Sequence, residues 1–342
     1  RRITGSDVRS ENRSINHMRY IYDFLIFGFL IVDGLLLILF VRRWLKRRWR
    51  INIASIALFL ILLAAWSVIF YGSFIEPKSL VVHTQKIDLA KTVPGATATP
   101  KEILRAALIS DIHVGHYKKD GCVARVVEKI NSLKPDVVFI AGDFVYSKAE
   151  EVKYLTPLEG LEAPLGVFAV LGNHDYDEGR DFNTAQAKAR ASTVKKALES
   201  AGIKVLVNSG VKLRKGKKDF FVLGLDDLWT FNIGIKEALK TIGYALAMPH
   251  PNIVLAHNPD VVMLSELKEA DVVLAGHTHG GQIRLPYLGS VPRIPTALGN
   301  KYDRGLFNFK NIRLFITNGV SEWGPRARLM TPPEVAMLEI NL

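Results

Sequence analysis

The chain of 342 residues has a single cysteine, Cys122, which excludes an internal disulfide and gives no indication of the redox compartment. Acidic residues are scarce near the beginning. Residues 1–100 hold six Asp and Glu against 14 Lys and Arg, whereas the rest of the chain holds 27 against 31. The formal net charge of +12 therefore belongs mainly to the first third. The remainder lacks a long basic groove interleaved with aromatic residues, so we expect no nucleic acid partner. No internal repeat is visible.

Two long apolar runs lie in this first third, Phe24–Val41 and Ile51–Tyr71. A helix of about 20 apolar residues crosses the ~30 Å hydrocarbon layer of a bilayer. Asp33 interrupts the first run at a cost of about 3 kcal/mol, which the Leu, Ile, Phe and Val residues around it outweigh. A cleaved signal peptide fits poorly, because the pair is too long and has no small-residue cleavage site. The sequence thus predicts two transmembrane helices in the cell membrane.

The loop between the two runs, Arg42–Arg50, has six basic residues in nine. Short basic loops stay in the cytoplasm, so we expect everything after Tyr71 on the extracytoplasmic side. Five arginines among the first 19 residues oppose this orientation. Met18 stands directly before the first span, and a native start there would remove most of them. We therefore treat residues 1–17 as a segment whose native status is to be tested by N-terminal mass spectrometry.

The sequence predicts four parts: a tail (1–19), a two-helix membrane anchor (20–72) with the basic loop 42–50, a juxtamembrane segment and linker (73–103), and an α/β domain (104–342). Thr92–Glu102 is rich in small residues and proline, as linkers are. Beyond it, short apolar runs alternate with amphipathic stretches, which is typical of an α/β domain. One amphipathic stretch around Val123–Ile130 predicts a helix with Asp120 as its N-cap, and Asn183–Gly202 predicts another.

Several of the apolar runs end in residue types that bind metals. These residues are Asp111 and His113, Asp143, Asn173 with His174 and Asp175, His257, and His277 with His279. Ligands in open α/β sheets bind beyond the carboxyl ends of the strands, so we expect these side chains to meet in one pocket. Within Asp111-x-His113 and His277-x-His279, an extended backbone would put both side chains on one face.

Each of these motifs has an ordinary structural interpretation when taken alone. A GD or NHD sequence is commonly a turn, and an isolated His257 is commonly a core or turn histidine. The joint occurrence in one order, each motif after an apolar strand, is far more specific than any single motif. Burying so many ionisable groups without a cation would leave them unpaired at considerable cost. The sequence therefore favours a metal site.

The motifs DIH, GD, GNHD, H and GHTH, in this order within Leu104–Leu342, resemble those of the calcineurin-like metallophosphoesterase superfamily. The resemblance implies a four-layer α/β/β/α sandwich of two mixed sheets, which here follows the two transmembrane helices. It implies a two-metal site, with a first metal held by Asp111, His113, Asp143 and His279. The second would be held by Asp143, as a bridge, with Asn173, His257 and His277. It also implies that His174 is the general acid or transition-state donor and that Asp175 orients it.

Two divalent ions would lower the pKa of a bridging water and clamp both oxygens of a phosphoryl displacement. Mixed histidine and carboxylate ligands suit Mn, Fe or Zn and do not choose among them. Gly276, Gly280 and Gly281 are expected to allow a tight turn where a Cβ would crowd a phosphate.

The apolar runs and the segment GHTHGGQIRLP resemble a membrane-associated bacterial branch, which includes UDP-2,3-diacylglucosamine pyrophosphatases and cell-envelope phosphoesterases. We therefore expect a membrane-anchored phosphoesterase acting on a phosphodiester or pyrophosphate of a lipid or envelope substrate. A nuclease or nucleotide phosphodiesterase with the same metals, and a non-enzymatic metal-dependent membrane sensor, are the alternatives.

Two further segments leave two interpretations open. SEWGPRARLM (Ser321–Met330) is either a solvated loop or a border of the pocket with Arg326 or Arg328 meeting phosphate. KLRKGKKDFF (Lys212–Phe221) has five basic residues in seven around Gly216 and is either a hairpin tip or a contact for anionic lipid headgroups.

Overall fold

The computed structural model describes residues 5–47, 51–89, 102–177, 181–244 and 249–342, with side chains from Tyr20 onward. It divides into two compact units. One comprises the residues up to Ser79 together with Glu322–Met330, and the other comprises Leu80–Ser321 together with Thr331–Leu342.

The first unit contains the two predicted apolar helices, α1 (Gly5–Leu45) and α2 (Ile53–Phe70). Asn52 caps α2 by accepting from the backbone N–H of Ser55, whose hydroxyl accepts from Asn52 in return. Two helical segments, Tyr20–Leu45 and Ile53–Lys78, are long and apolar enough to cross a membrane. At 1.5 Å per residue, 26 residues give about 39 Å, longer than the ~30 Å hydrocarbon layer. Helix α1 includes most of the predicted tail, and residues 48–50 of the basic loop lie outside the described residues.

Asp33, the one acidic residue in the first apolar run, faces the inside of this unit. Its side chain is 3% exposed, whereas its neighbours Ile31 and Val32 are exposed. The nearby Trp66 of α2 donates its indole N–H to the Leu30 carbonyl at 3.0 Å. Asp33 therefore lies on the covered face of α1, where neither of its carboxylate oxygens has a hydrogen-bond partner among the described residues.

The segment Glu322–Met330 packs within the same unit. The Arg328 N–H donates to the Gly72 carbonyl at 2.8 Å, and the Met330 N–H donates to the Glu76 carboxylate at 3.0 Å. The Arg326 guanidinium lies 4.8 Å from the ring centroid of Phe74. Arg328 is fully buried, so the solvated-loop interpretation is wrong for Arg328, whereas Trp323 and Met330 of the same segment are exposed.

The second unit contains two six-stranded mixed sheets. The strands of the first, in spatial order, are β1 (Val81–Asp88), β14 (Glu334–Asn341), β2 (Ile103–Ile109), β3 (Val137–Ala141), β4 (Val167–Val170) and β5 (Lys204–Val205). All pairs are parallel except β14 with β2.

The second sheet has antiparallel pairs at both edges and parallel pairs in its centre. Its strands are β12 (Gly305–Phe309), β13 (Ile312–Ile316), β9 (Val272–Ala275), β8 (Asn252–Leu255), β7 (Lys218–Gly224) and β6 (Ser209–Lys215). A separate two-stranded hairpin joins β10 (Arg284–Leu285) to β11 (Gly289–Ser290).

Three apolar cores give the four layers that the resemblance implies. One core lies between the sheets, with Phe139 of β3 and Phe220 of β7. A second joins the outer face of the first sheet to α3 (Asp120–Leu133) and α5 (Ala185–Ser200). The third joins the outer face of the second sheet to α6 (Ile235–Thr241). The predicted α/β/β/α architecture is confirmed.

The structure differs from the predicted elements at two points. Asp120 is the first residue of α3, and Lys119 is its N-cap. Strand β1 pairs with β14 from Val81 opposite Glu334 to Asp88 opposite Asn341, so the sheet includes residues that the sequence placed in the juxtamembrane segment. Of the predicted linker, residues 92–101 lie outside the described residues.

Candidate metal centre

The residues predicted to bind metals follow strands of both sheets. Asp111 and His113 come after β2, Asp143 after β3, and Asn173 begins the short helix α4 (Asn173–Tyr176) after β4. His257 follows β8, and the histidine pair follows β9. The expected pocket is therefore assembled from two sheets, rather than at the carboxyl edge of one open sheet.

Asp111, His113 and His279 form one buried cluster, in which the ligand atoms lie within 4.8 Å of one another. Asp111 Oδ1 lies 3.3 Å from His279 Nε2 and 3.9 Å from His113 Nε2. The two Nε2 atoms are 3.3 Å apart. Three ligand-type atoms thus converge on one point.

Asp143, His257 and His277 form a second buried cluster of the same size. Asp143 Oδ2 lies 3.2 Å from His257 Nε2, which is 3.0 Å from His277 Nδ1. The histidine pair is therefore divided, with His277 in this cluster and His279 in the first.

Asp143 also reaches the first cluster, since its Oδ2 lies 3.4 Å from His113 Nε2. A single carboxylate oxygen is thus near one histidine of each cluster, which is the position of a bridging ligand. Asp111 Oδ1 and Asn173 Oδ1 are buried and have no hydrogen-bond partner among the described residues. Divalent cations would satisfy such oxygen atoms, so the residues present fit a binuclear divalent metal centre.

Backbone carbonyls orient three of the imidazoles. His257 Nδ1 lies 2.7 Å from the Ala141 carbonyl, and His279 Nδ1 lies 3.0 Å from the Ser321 carbonyl. His174 Nδ1 lies 3.0 Å from the Tyr146 carbonyl. A carbonyl accepts only from a protonated nitrogen, so each contact fixes the tautomer and leaves Nε2 as the lone-pair donor of the neutral ring.

The electrostatics of the two clusters favour an ionised Asp143 carboxylate beside a protonated His257, with His113 and His277 neutral. Burial lowers the pKa of His113 and of His277 well below the usual value. Burial alone would raise the pKa of Asp143, but the charges of His257 and His174 hold it well below its usual range. Burial would lower the pKa of His257, but Asp143 raises it to about 10 through charge and a hydrogen bond. A metal ion takes the place of such a proton between two ligands.

The backbone of five of these residues is left-handed. The φ angles are 54° at Asp111, 42° at His113, 57° at Asp143, 70° at His277 and 52° at His279. The expectation that each histidine-containing pair lies on an extended segment is therefore wrong. Left-handed non-glycine residues cost about 1–3 kcal/mol each and cluster at functional sites, where the surrounding fold enforces them.

Protein atoms leave no room for a Cβ at the glycines beside the clusters. A Cβ on Gly276 would overlap the Ser110 hydroxyl and lie 2.7 Å from Asp111 Oδ2. A Cβ on Gly172 would overlap the Asp143 carboxylate. Gly280 and Gly281 have φ angles of 61° and 76°, which agrees with the expected tight turn.

Asp175 makes contacts that the sequence did not predict. Its carboxylate accepts from the backbone N–H groups of Phe144 (2.8 Å), Gly172 (2.9 Å), Asp143 (3.1 Å) and Val145 (3.2 Å). It therefore holds the turn that carries Asp143, while the Tyr146 carbonyl orients His174. The backbone N–H of His174 donates to Asp143 Oδ1 at 2.9 Å.

The structure adds residues that the sequence did not single out. Trp229 packs edge-on against His277, with ring centroids 4.7 Å apart. Burial raises the pKa of Asp227 to about 7, and its carboxylate accepts from the backbone N–H of Trp229 at 2.9 Å. The sequence carried a signal here, because the β7 run also ends in two acidic residues, Asp226 and Asp227.

The sequence model of the calcineurin-like phosphoesterase family matches residues 104–281. The chain is 30% identical to the uncharacterized metallophosphoesterase Cj0846 of Campylobacter jejuni, over 70% of this chain and 60% of that protein. It is 30% identical to the UDP-2,3-diacylglucosamine pyrophosphatase LpxG of Chlamydia trachomatis, over 69% of this chain and 83% of that protein. It is 32% identical to the phosphodiesterase YaeI of Escherichia coli, over 71% of this chain and 83% of that protein. The predicted resemblance is confirmed: the chain belongs to the calcineurin-like phosphoesterase family, and it is a hydrolase of phosphoester bonds.

Proposed function

We propose that the chain is a membrane-anchored, two-metal phosphoesterase that hydrolyses a phosphodiester or pyrophosphate bond of a lipid or cell-envelope substrate. The observation that carries the proposal is the position of Asp143 Oδ2, 3.4 Å from a histidine of one cluster and 3.2 Å from a histidine of the other. One carboxylate thereby joins two sets of metal-binding side chains into a single centre.

We propose for the seven ligands the roles that the sequence predicts. Asp111, His113, Asp143 and His279 would hold one ion, and Asp143, Asn173, His257 and His277 the other. Bound divalent cations supply a nucleophile at neutral pH and a clamp on the phosphoryl oxygens. The neutral Asn173 limits the negative charge of the ligand set, which favours an anionic phosphate. Mn, Fe and Zn all suit this set.

His174 is the proposed proton donor to the leaving group. Burial and the nearby Arg190 lower its pKa, so the free imidazole is neutral at pH 7. Its Nδ1 is engaged by the Tyr146 carbonyl, which leaves Nε2 to exchange a proton. A bound anionic phosphate would raise the pKa of this imidazole. Nε2 would then become protonated and could donate that proton to the leaving group.

The lipid or envelope substrate is proposed on two grounds. The two apolar helices would hold the hydrolase at a bilayer. LpxG, of which this chain covers 83%, carries the name of an enzyme that cleaves a diacylated sugar nucleotide. The nuclease alternative has no comparable support in the described residues.

The test is a substrate panel on the full chain in detergent, with Mn²⁺, Fe²⁺ or Zn²⁺ added in turn. UDP-2,3-diacylglucosamine, bis-p-nitrophenyl phosphate, p-nitrophenyl phosphate and single-stranded DNA would be compared by kcat/KM. We expect the lipid-linked substrate to be preferred by a factor of about ten or more, because remote acyl contacts contribute to transition-state binding. Faster cleavage of DNA would support the nuclease alternative. No cleavage with any metal would contradict the proposal. His174→Ala should remove activity, while His83→Ala on the exposed strand β1 should retain it.

We further propose that the domain lies on the extracytoplasmic side, because of the basic loop 42–50. A fluorescent protein fused to the C-terminus should then stay dark, since it folds poorly after export, while a periplasmic reporter enzyme at the same position should be active. The opposite pair of results would place the domain in the cytoplasm.

A further inference from the structure

The hairpin β10–β11 leaves the metal centre only five residues after His279 and presents an apolar tip to solvent. We define this apolar tip as Leu285, Tyr287, Leu288 and Val291, whose exposed fractions are 40%, 107%, 76% and 54%. Single exposed apolar residues are ordinary on protein surfaces, but a contiguous group marks a contact site.

The hairpin contacts the turn that carries the metal ligands, because the Ser290 hydroxyl lies 3.4 Å from the Gly281 carbonyl. The Val291 N–H donates to the Ile283 carbonyl at 3.0 Å, and the Ser290 hydroxyl donates to the Pro292 carbonyl at 2.9 Å. The Asn300 amide donates to the same carbonyl at 3.2 Å. The base of the hairpin is therefore joined to the turn that carries His277 and His279.

The surroundings of the tip are basic. Residues 282–304 contain four Lys and Arg but one acidic residue, Asp303. Asp303 is buried and forms an ion pair with Arg284. Arg293 and Lys301 are exposed. A tip of Tyr, Leu and Val beside exposed cations matches the interfacial layer of an anionic bilayer, where aromatic rings, aliphatic groups and cations all find favourable surroundings.

The other basic hairpin, β6–β7, shows a different pattern. Lys212 and Arg214 pair with Asp219, Lys215 pairs with Asp136 at 2.6 Å, and Lys218 donates to the Leu342 carbonyl at 2.6 Å. These cations are engaged within the protein, and the hairpin-tip interpretation of this segment fits the structure.

We infer that the apolar tip of β10–β11 inserts into the interfacial layer of an anionic lipid bilayer and so presents the metal centre to lipid phosphates. The inference rests on the proposed membrane anchor, which places a bilayer within reach. A second copy of the chain is the competing occupant, and the test distinguishes it.

The test measures the depth of a nitroxide on the full chain in lipid nanodiscs, in a Cys122→Ser background. Labels would be placed by Tyr287→Cys at the tip, by Leu60→Cys in α2, and by Phe231→Cys, an 87% exposed aromatic elsewhere on the second unit. We expect the tip label to lose access to a water-soluble nickel complex while it gains access to oxygen, as the Leu60 label should. The Phe231 label should remain accessible to nickel.

Three results would overturn the inference. A tip label as accessible to nickel as the Phe231 label, with Leu60 embedded, contradicts the inference alone. A tip label protected from both nickel and oxygen indicates a protein interface. A Leu60 label in water contradicts the proposed anchor and, with it, the inference. As a second arm, Arg293→Glu with Lys301→Glu should restore nickel access at the tip in discs with phosphatidylglycerol, and unchanged protection would contradict the role of charge.

Discussion

At the scale of residues, the histidine pair divides its two rings between two clusters. His279 Nε2 lies 3.3 Å from Asp111 Oδ1, whereas His277 Nδ1 lies 3.0 Å from His257 Nε2. We therefore predict that His279→Ala and His277→Ala each release mainly one metal ion. Metal analysis of the purified variants should give close to half the wild-type content, with different ions retained if the two sites differ in preference. Loss of both ions in each variant would mean that the sites do not load separately.

The second prediction at this scale concerns the support that Asp175 gives to the turn carrying Asp143. Its two oxygens accept from four backbone N–H groups around the Asp143 turn. Asp175→Asn replaces one acceptor oxygen by a donor, which leaves two buried N–H groups unpaired at about 1–3 kcal/mol each. We expect a lower melting temperature and a metal affinity reduced about 10–100-fold. Asp120→Asn, an exposed change at the start of α3, is the control. Wild-type metal affinity in Asp175→Asn would contradict this role.

The sequence predicted the residue types at this site but not the backbone conformation of those residues. The strand ends identified every member of both clusters, because carboxylates and imidazoles after buried strands are costly without a cation. The left-handed φ angles at Asp111 and His277 were not predictable, since non-glycine residues there are strained. Only the packed fold enforces such a conformation, and no local pattern reports it.

At the scale of elements, the turns that follow the strands are packed too closely for an added methyl group. A Cβ on Gly172, between β4 and α4, would overlap the Asp143 carboxylate. Gly172→Ala should therefore displace the bridging carboxylate and lower activity about 100-fold, the loss that misplacement by ~1 Å can produce. Gly121→Ala in α3 meets open space and should retain activity and gain slight stability. Equal activity of the two variants in a hydrolysis assay would contradict the packing argument.

The elements themselves were predicted unevenly. Strands β2, β3 and β4 are buried, and their apolar runs marked them in the sequence. Strand β1 is exposed along most of its length, with Ile87 as its buried residue, so it has no apolar pattern to find. Its place in the sheet depends on pairing with β14, more than 240 residues later.

At the scale of the whole molecule, the sequence could not predict which distant segments associate. The Met330 N–H donates to Glu76, 254 residues earlier, and places the segment Glu322–Met330 in the unit of the apolar helices. Nothing local in SEWGPRARLM encodes that partner. The assembly of one centre from two sheets was unpredictable for the same reason, because the sequence shows strand ends but not the sheet to which each strand belongs.

The central claim is that both clusters, joined by Asp143, form one hydrolytic centre. The most direct measurement is a titration of Mn²⁺ into the metal-free full chain, with bound metal and hydrolysis of bis-p-nitrophenyl phosphate followed together. The account predicts two bound equivalents and activity that rises with the second. Asp143→Asn should lose at least about 100-fold in activity, as expected when a ligand common to both ions is removed, while the exposed Asp120→Asn should match the wild type. Full activity at one equivalent, or an active Asp143→Asn, would contradict the account.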